Sequence, residues 1–346
     1  MFRNIWDIAG SIAYIYLCCS SINCPLLLNV LGSSYLSKSD VFGINTSALD
    51  ILFCSKQPSS PACIDIDNST CGSSMLEIKG YPMHIIYNRV PKSASTTLRN
   101  LFREQASKRK FTIFNKKIYV PFLLSFNAQQ EVIYEINNAK TPVLYERHMY
   151  FVRFDTFQKP QPVYINIVRD PLELTVSSYY FSRQTCIEER RCYFDVAFLN
   201  ETLDDCLERR SSNQCVSQSQ GVSPMIPFFC GNEIKCKKNK TFALNKAKEN
   251  IVNYYTVVGI VEELYNFLFV LEHLMPRYFA NIRLAYMSNG MRRIDNKRSN
   301  IVKNKDPSEV NKRALRVALV NEYELYNFIK RRFHLQFKQV LKTFTN

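Results

Sequence analysis

Three groups of side chains in this chain have the types and spacing to do chemistry: Lys92 with the hydroxyls of Ser93, Ser95, Thr96 and Thr97; Arg169 with Ser177; and His148. The first group lies in H-I-I-Y-N-R-V-P-K-S-A-S-T-T-L-R-N-L-F, residues 84–102, which runs from an apolar strand into residues at helical spacing. A helix that starts directly after a strand points its free N–H groups and positive dipole end outward, and both attract an anion. Lys92 adds a mobile positive charge. The segment is not a Walker A loop, because G-x-x-x-x-G-K-[ST] needs glycines before its lysine and none is present. Alone, it reads equally as a phosphate cradle or as an N-capped surface helix.

The second group lies in P-V-Y-I-N-I-V-R-D-P-L-E-L-T-V-S-S-Y-Y-F-S-R, residues 162–183. A strand ends at Arg169 and Asp170, and Pro171 suits the first turn of a helix. An arginine at the C-terminal end of a strand stands where open α/β sheets bind ligands. Its guanidinium can hold a phosphate through a bidentate fork, with Ser177 two helical turns on completing the shell. In isolation, an Arg–Asp turn without a ligand is the simpler reading. A transfer to a hydroxyl also needs a base, and a histidine with an ordinary pKa of about 6.5 can take the proton near neutral pH. The histidines are His84 in the first strand, His148 after a short strand, His273 in a Leu-rich helix and His334 beside two arginines.

These side chains need a scaffold. Short apolar runs at 83–90, 142–145, 162–168 and 255–261 read as buried strands, and residues 98, 101 and 102 and the stretch 262–279 read as helical. Buried strands separated by helices predict an α/β fold with a central parallel sheet flanked by helices. Residues 183–240 interrupt that rhythm and hold Cys186 and Cys192, Cys206 and Cys215, and Cys230 and Cys236. No pair has C-x2-C spacing and histidines are few, so short-loop disulfides stapling an insertion are favoured over zinc, and no metal is expected. Cys54, Cys63 and Cys71 leave an odd thiol upstream.

The chain has 346 residues, 46% of them hydrophobic, which allows a sizeable core and excludes a disordered protein. A net charge of +15 predicts a polyanionic partner: nucleic acid, an acidic membrane face or an acidic polysaccharide. Residues 5–31 carry only Asp7 as a charge, follow Arg3 and lack a clean small-x-small cleavage site. They read as a signal-anchor transmembrane segment rather than a cleaved signal peptide. The organisation expected is therefore a cytoplasmic tip and anchor (1–31), a Ser/Asn/Asp/Pro-rich luminal stem (32–80) and a catalytic domain (81–346). Sequons at Asn45, Asn68, Asn200 and Asn239 agree with a luminal address and glycosylation.

Together, Y-N-R-V-P-K-S-A-S-T-T, P-V-Y-I-N-I-V-R-D-P, I-P-F-F-C-G-N-E-I-K-C and V-G-I-V-E-E-L, in this order, resemble the hallmark segments of the uronyl 2-O-sulfotransferases. These belong to the sulfotransferases that use 3′-phosphoadenosine 5′-phosphosulfate (PAPS), so the resemblance implies a P-loop-like sulfotransferase fold over roughly residues 85–337. It implies that Lys92 contacts the sulfuryl group, that Ser93, Ala94, Ser95, Thr96 and Thr97 cradle the 5′ end, and that Arg169 and Ser177 hold the 3′-phosphate. His148 in L-Y-E-R-H-M-Y-F matches the family's base, and Arg89 falls near its uronic acid. Residues 291–305, M-R-R-I-D-N-K-R-S-N-I-V-K-N-K, lie where the family closes a basic loop. The resemblance further implies a sulfated glycosaminoglycan substrate, heparan sulfate ahead of dermatan or chondroitin sulfate, no nucleic acid, a Golgi membrane setting and a homotrimer. Two positions depart from the family: Leu174 replaces the second arginine of R-D-P-x-x-R, and Glu146 stands where the heparan sulfate enzymes have a histidine. A catalytically silent glycosaminoglycan-binding paralogue is the rival reading; a nucleotide kinase is excluded by the missing glycines.

Overall fold

A computed structural model describes residues 75–115, 123–190, 192, 194–288 and 306–344. The expected anchor, Asn45, Asn68, the upstream cysteines and the basic stretch 291–305 lie outside the described residues. The core is a parallel sheet ordered β2-β3-β1-β4-β5. Its strands are β1 (Tyr81–Asn88), β2 (Thr112–Asn115), β3 (Val143–Arg147), β4 (Pro162–Val168) and β5 (Tyr255–Ile260). Every residue of β3, β4 and β5 is buried, because helices cover both faces of the sheet; this is why these strands read as continuous apolar runs.

Helices α1 (Ser95–Arg109) and α2 (Phe126–Asn137) follow β1 and β2, and α3 (Pro171–Glu189) follows β4. Phe102 of α1 meets Tyr87 edge-on at 5.7 Å on one face of the sheet. The chain then forms α4 (Leu203–Arg209), α5 (Ser212–Cys215), α6 (Ile226–Cys230), α7 (Ile234–Lys238) and α8 (Lys240–Tyr254). On the other face, Phe229 of α6 lies 5.2 Å from Tyr255. After β5 come α9 (Leu264–Leu274), α10 (Pro276–Phe279), α11 (Ile282–Ser288), α12 (Glu309–Ala318) and α13 (Val320–Lys342). Gly259 lets α9 approach β5: a Cβ there would come within 2.3 Å of Phe267.

The expected disulfides form: Cys186–Cys192, Cys206–Cys215 and Cys230–Cys236. They do not staple one insertion. Cys230 and Cys236 belong to the main core, whereas Leu203, Cys206, Cys215 and Val222 form a second cluster against Leu172, Val176 and Tyr179 of α3. The single helix expected over 262–279 is also divided. Pro276 has no N–H to continue the ladder, so α9 ends at Leu274 and α10 restarts on the proline. Residues 75–80 are joined to the body: Met75 is buried and its carbonyl accepts from Gln336 Nε2 at 2.6 Å.

Strand order places the site. From β1 the chain runs through α1 toward β2 and β3, while from β4 it runs through α3 toward β5. Adjacent strands whose connections leave in opposite directions open a crevice at their carboxyl ends. The Lys92 loop and Arg169 stand at the two lips of that crevice, and His148 follows β3 on the far side of β1.

Candidate functional site

The loop after β1 makes its turn without glycine by placing Lys92 (φ 61°) and Ala94 (φ 52°) in the left-handed region. That conformation costs an L-residue roughly 1–2 kcal/mol. Ala94 is also the N-cap of α1, where it offers no side-chain hydrogen bond, and the first turn has no acidic residue. The N-terminal N–H groups of α1 therefore lack the side-chain partner that a cap would supply. The Ser93 hydroxyl is fully buried with no protein hydrogen-bond partner. An orphaned buried hydroxyl beside an uncapped helix end fits an oxyanion. Ser95 instead donates to the Val90 carbonyl at 3.3 Å, Thr96 is exposed and Thr97 is buried. Ala94→Gly is expected to raise stability by about 1 kcal/mol, since glycine suits both a left-handed residue and an N-cap better than alanine. A denaturant midpoint that fails to rise would remove the strain from this description.

The α3 end of the crevice is arranged differently. Asp170 caps that helix, its Oδ1 accepting from Leu172 N at 2.9 Å and Glu173 N at 3.1 Å. The dipole end of α3 is thus already matched by a carboxylate, and an anion on this side must be held by Arg169 and the helix flank. The Arg169 guanidinium donates to Glu173 Oε2 at 3.1 Å, an exposed pair that an incoming phosphate can displace. Ser177 is half-buried two turns along, and the neighbouring Ser178 hydroxyl is buried without a partner. Lys92 Nζ lies 3.8 Å from the ring centroid of Phe181, one turn beyond Ser177 on α3. This contact brings the lysine loop and the Arg169–Ser177 side of the crevice together.

His148 follows β3, and its Nδ1 lies 2.9 Å from the Arg89 carbonyl. A carbonyl only accepts, so Nδ1 carries the proton and Nε2 presents its lone pair. Burial, and then the Arg89 charge, hold the imidazolium pKa down to about 3, so the ring is neutral at physiological pH. Arg89 itself is 3% exposed, so the contribution visible here is its carbonyl's hold on His148.

The other histidines are placed in structural surroundings. His84 is buried in β1, His273 meets Thr343 Oγ1 at 3.4 Å, and His334 Nε2 lies 2.6 Å from Glu263 Oε1. Leu174 is 2% exposed in the main core, so this position has no room for the arginine that the family motif carries. Glu146 is buried and accepts from Arg99 Nε at 2.9 Å, an ion pair the sequence did not disclose. Of the sequons, Asn200 and Asn239 are exposed. Among the described residues no helix is long and apolar enough to cross a membrane. Nor do they include a cluster of three His, Cys, Asp or Glu that could hold a metal ion.

A buried polar network supports the site, and the motifs did not reveal it. Asn88 accepts from Asn166 Nδ2 at 3.0 Å and from Tyr255 Oη at 3.0 Å, and donates to the Phe228 carbonyl at 3.0 Å. Its amide also reaches the Met149 carbonyl at 3.4 Å, just past His148. Glu322 completes the support from α13 by accepting from Met225 N at 2.8 Å and Ile226 N at 3.3 Å at the start of α6. Its own burial raises its pKa to about 7. The one readable signal was an asparagine inside each of two apolar strands.

A parallel sheet with an uncapped helix, a lysine and an arginine around its switch point, and a neutral histidine beside them, defines an α/β protein built to bind an anionic group donor. Its sequence relatives agree: residues 81–329 match the sulfotransferase family, and the chain belongs to that family. The chain is 32% identical over 269 residues to human "Uronyl 2-sulfotransferase", covering 74% of this chain and 63% of that protein. It is 30% identical over 265 residues to "Heparin sulfate O-sulfotransferase" of Drosophila melanogaster, covering 75% and 74% respectively. Against "Heparan sulfate 2-O-sulfotransferase 1" of Xenopus laevis the identity is 35% over 214 residues, 59% of this chain and 58% of that protein. The chain thus spans somewhat under two thirds of the length of the human relative.

Proposed function

We propose that this protein transfers a sulfuryl group from PAPS to the 2-hydroxyl of a uronic acid in a glycosaminoglycan, heparan sulfate ahead of dermatan or chondroitin sulfate. The observation that carries the reading is the convergence across the switch point: Lys92 reaches α3 one turn from Ser177, while His148 keeps Nε2 unprotonated. PAPS, when bound, supplies an activated sulfuryl group and a phosphate leaving group.

The chain's residues do the remainder. The backbone from Ser93 to Thr97, with the orphaned Ser93 hydroxyl, cradles the 5′ end. Arg169 exchanges Glu173 for the 3′-phosphate, and Ser177 completes that shell. The Lys92 ammonium stabilises charge that develops on the leaving oxygen, an interaction strongest in the transition state. His148 Nε2 accepts the hydroxyl proton as the oxygen attacks, and the Arg89 carbonyl stabilises the imidazolium through Nδ1–H. Arg89 is assigned to the uronate side. The basic surface provides long-range attraction to the sulfated chain. The same reading places the protein in the Golgi membrane as a type II, glycosylated protein, with residues 1–31 as anchor and a homotrimer as its assembly. The silent-binder reading draws on the departures at Leu174 and Glu146.

Transfer of labelled sulfate to desulfated heparin, dermatan and chondroitin, followed by disaccharide analysis, decides between the two readings. The expected product is a 2-O-sulfated uronic acid. Intact glycan binding with no transfer to any acceptor would establish the silent binder instead.

A further inference from the structure

Phe181 has no packing role that explains it. On α3 its neighbours Tyr179 and Tyr180 are buried at 0% and 6% exposure, whereas Phe181 is 40% exposed. A single exposed phenylalanine is ordinary. This one lies one helical turn beyond Ser177 on the same face, and the Lys92 ammonium sits 3.8 Å from its ring centroid.

A lysine on a left-handed loop residue has four side-chain torsions and no rigid fork, so its charge wanders unless something holds it. The face of a phenyl ring attracts an ammonium without forming hydrogen bonds that compete with an incoming anion. A carboxylate at the same place would neutralise the charge the transfer needs.

We propose that Phe181 is a positioning residue for Lys92, its ring face holding the ammonium over the crevice between the β1 loop and α3. This rests on the role assigned to Lys92 under Proposed function. The ring acts on the placement of the charge, so its loss falls on turnover rather than on donor binding.

The test uses the full chain with Phe181→Leu, which keeps an apolar side chain but no ring, and Phe181→Tyr, which keeps the ring face. Sulfate transfer by the leucine variant is expected to show kcat lower by about two- to fivefold, donor KM unchanged, and recovery in the tyrosine variant. A second readout needs no activity. With lysine labelled by 13C at Cε, the ligand-free protein is expected to show one lysine signal displaced by the ring current. That signal should vanish in Lys92→Arg, return to the bulk position in Phe181→Leu, and stay displaced in Phe181→Tyr. Unaltered kcat in the leucine variant, failure of tyrosine to restore it, or a displaced signal that persists in Phe181→Leu would each overturn the proposal. If the wild type transfers no sulfate, the sulfotransfer reading falls and the lysine signal alone decides the role of Phe181.

Discussion

Lys92→Ala is expected to fold like the parent and to lose about two to three orders of magnitude in kcat, the scale seen when one preorganised stabiliser of developing charge is removed. The fold should survive because the substitution keeps a Cβ at a residue with φ 61°, so the loop backbone meets the same steric conditions with either side chain. The lost contact is the cation–π pair with Phe181, a partly exposed interaction of roughly 0.5–1 kcal/mol. Binding of the desulfated cofactor product should weaken much less than kcat falls, because leaving-group charge appears only as the bond breaks. Lys92→Arg keeps the charge but spreads it over a planar fork that cannot point a single N–H at one oxygen, and should recover only part of the rate. Calorimetric binding and single-turnover transfer on the same preparations separate the two quantities. An alanine variant that binds product tenfold more weakly at unchanged kcat would reduce Lys92 to a binding residue.

The sheet could be read from the sequence because parallel strands buried on both faces leave no alternation to decode, only apolar runs. The β4 run at 162–168 coincides with the strand, and the β5 run exceeds it by one residue. The β1 run was placed two residues late, since Tyr81 and Pro82 pair at the strand's exposed start and look like linker. β2 went unread because four partly exposed residues at a sheet edge carry too little pattern. Residue types gave the candidate site its members but not its geometry. Nothing in P-K-S-A-S-T-T states that Lys92 and Ala94 adopt the left-handed conformation that glycine usually supplies. The Arg99–Glu146 pair and the Asn88–Asn166–Tyr255 network are tertiary, joining residues 47 to 167 positions apart, beyond any local spacing rule.

Leu174 shows how a departure from a motif changes meaning once it is placed in three dimensions. Read in sequence, it is a missing positive charge near the donor. Placed in the core at 2% exposure, it is a packing residue, and an arginine there would bury a charge among apolar neighbours. Glu146 is the reverse case: a buried carboxylate held by Arg99 two residues before the proposed base.

His148→Gln is expected to lower transfer by about two to four orders of magnitude while leaving stability at pH 7.5 close to the parent. Glutamine is chosen because its amide NH2 can still donate to the Arg89 carbonyl, so the loop keeps its hydrogen bond and only the proton acceptor is removed. A second effect separates a titrating imidazole from a merely structural one. Burial and the Arg89 charge hold the native pKa near 3, below the unfolded value, so folding favours the neutral ring. The stability this linkage contributes is fully present above about pH 6.5 and is lost as pH falls from there toward 3. At pH 5 the parent should therefore have lost about 2 kcal/mol that the glutamine variant keeps. The stability difference between the two, followed by urea denaturation from pH 7.5 to 5, isolates that contribution, since every other titrating group is common to both. In parallel, the acidic limb of kcat/KM should not show His148 titrating near 6.5, because the free enzyme's ring is still neutral there. A limb at 6.5 that disappears in the variant would mean that the imidazole is solvated and the depressed pKa is wrong. Full activity in His148→Gln would leave the hydroxyl without its base and move that role to another group at the carboxyl edge of the sheet.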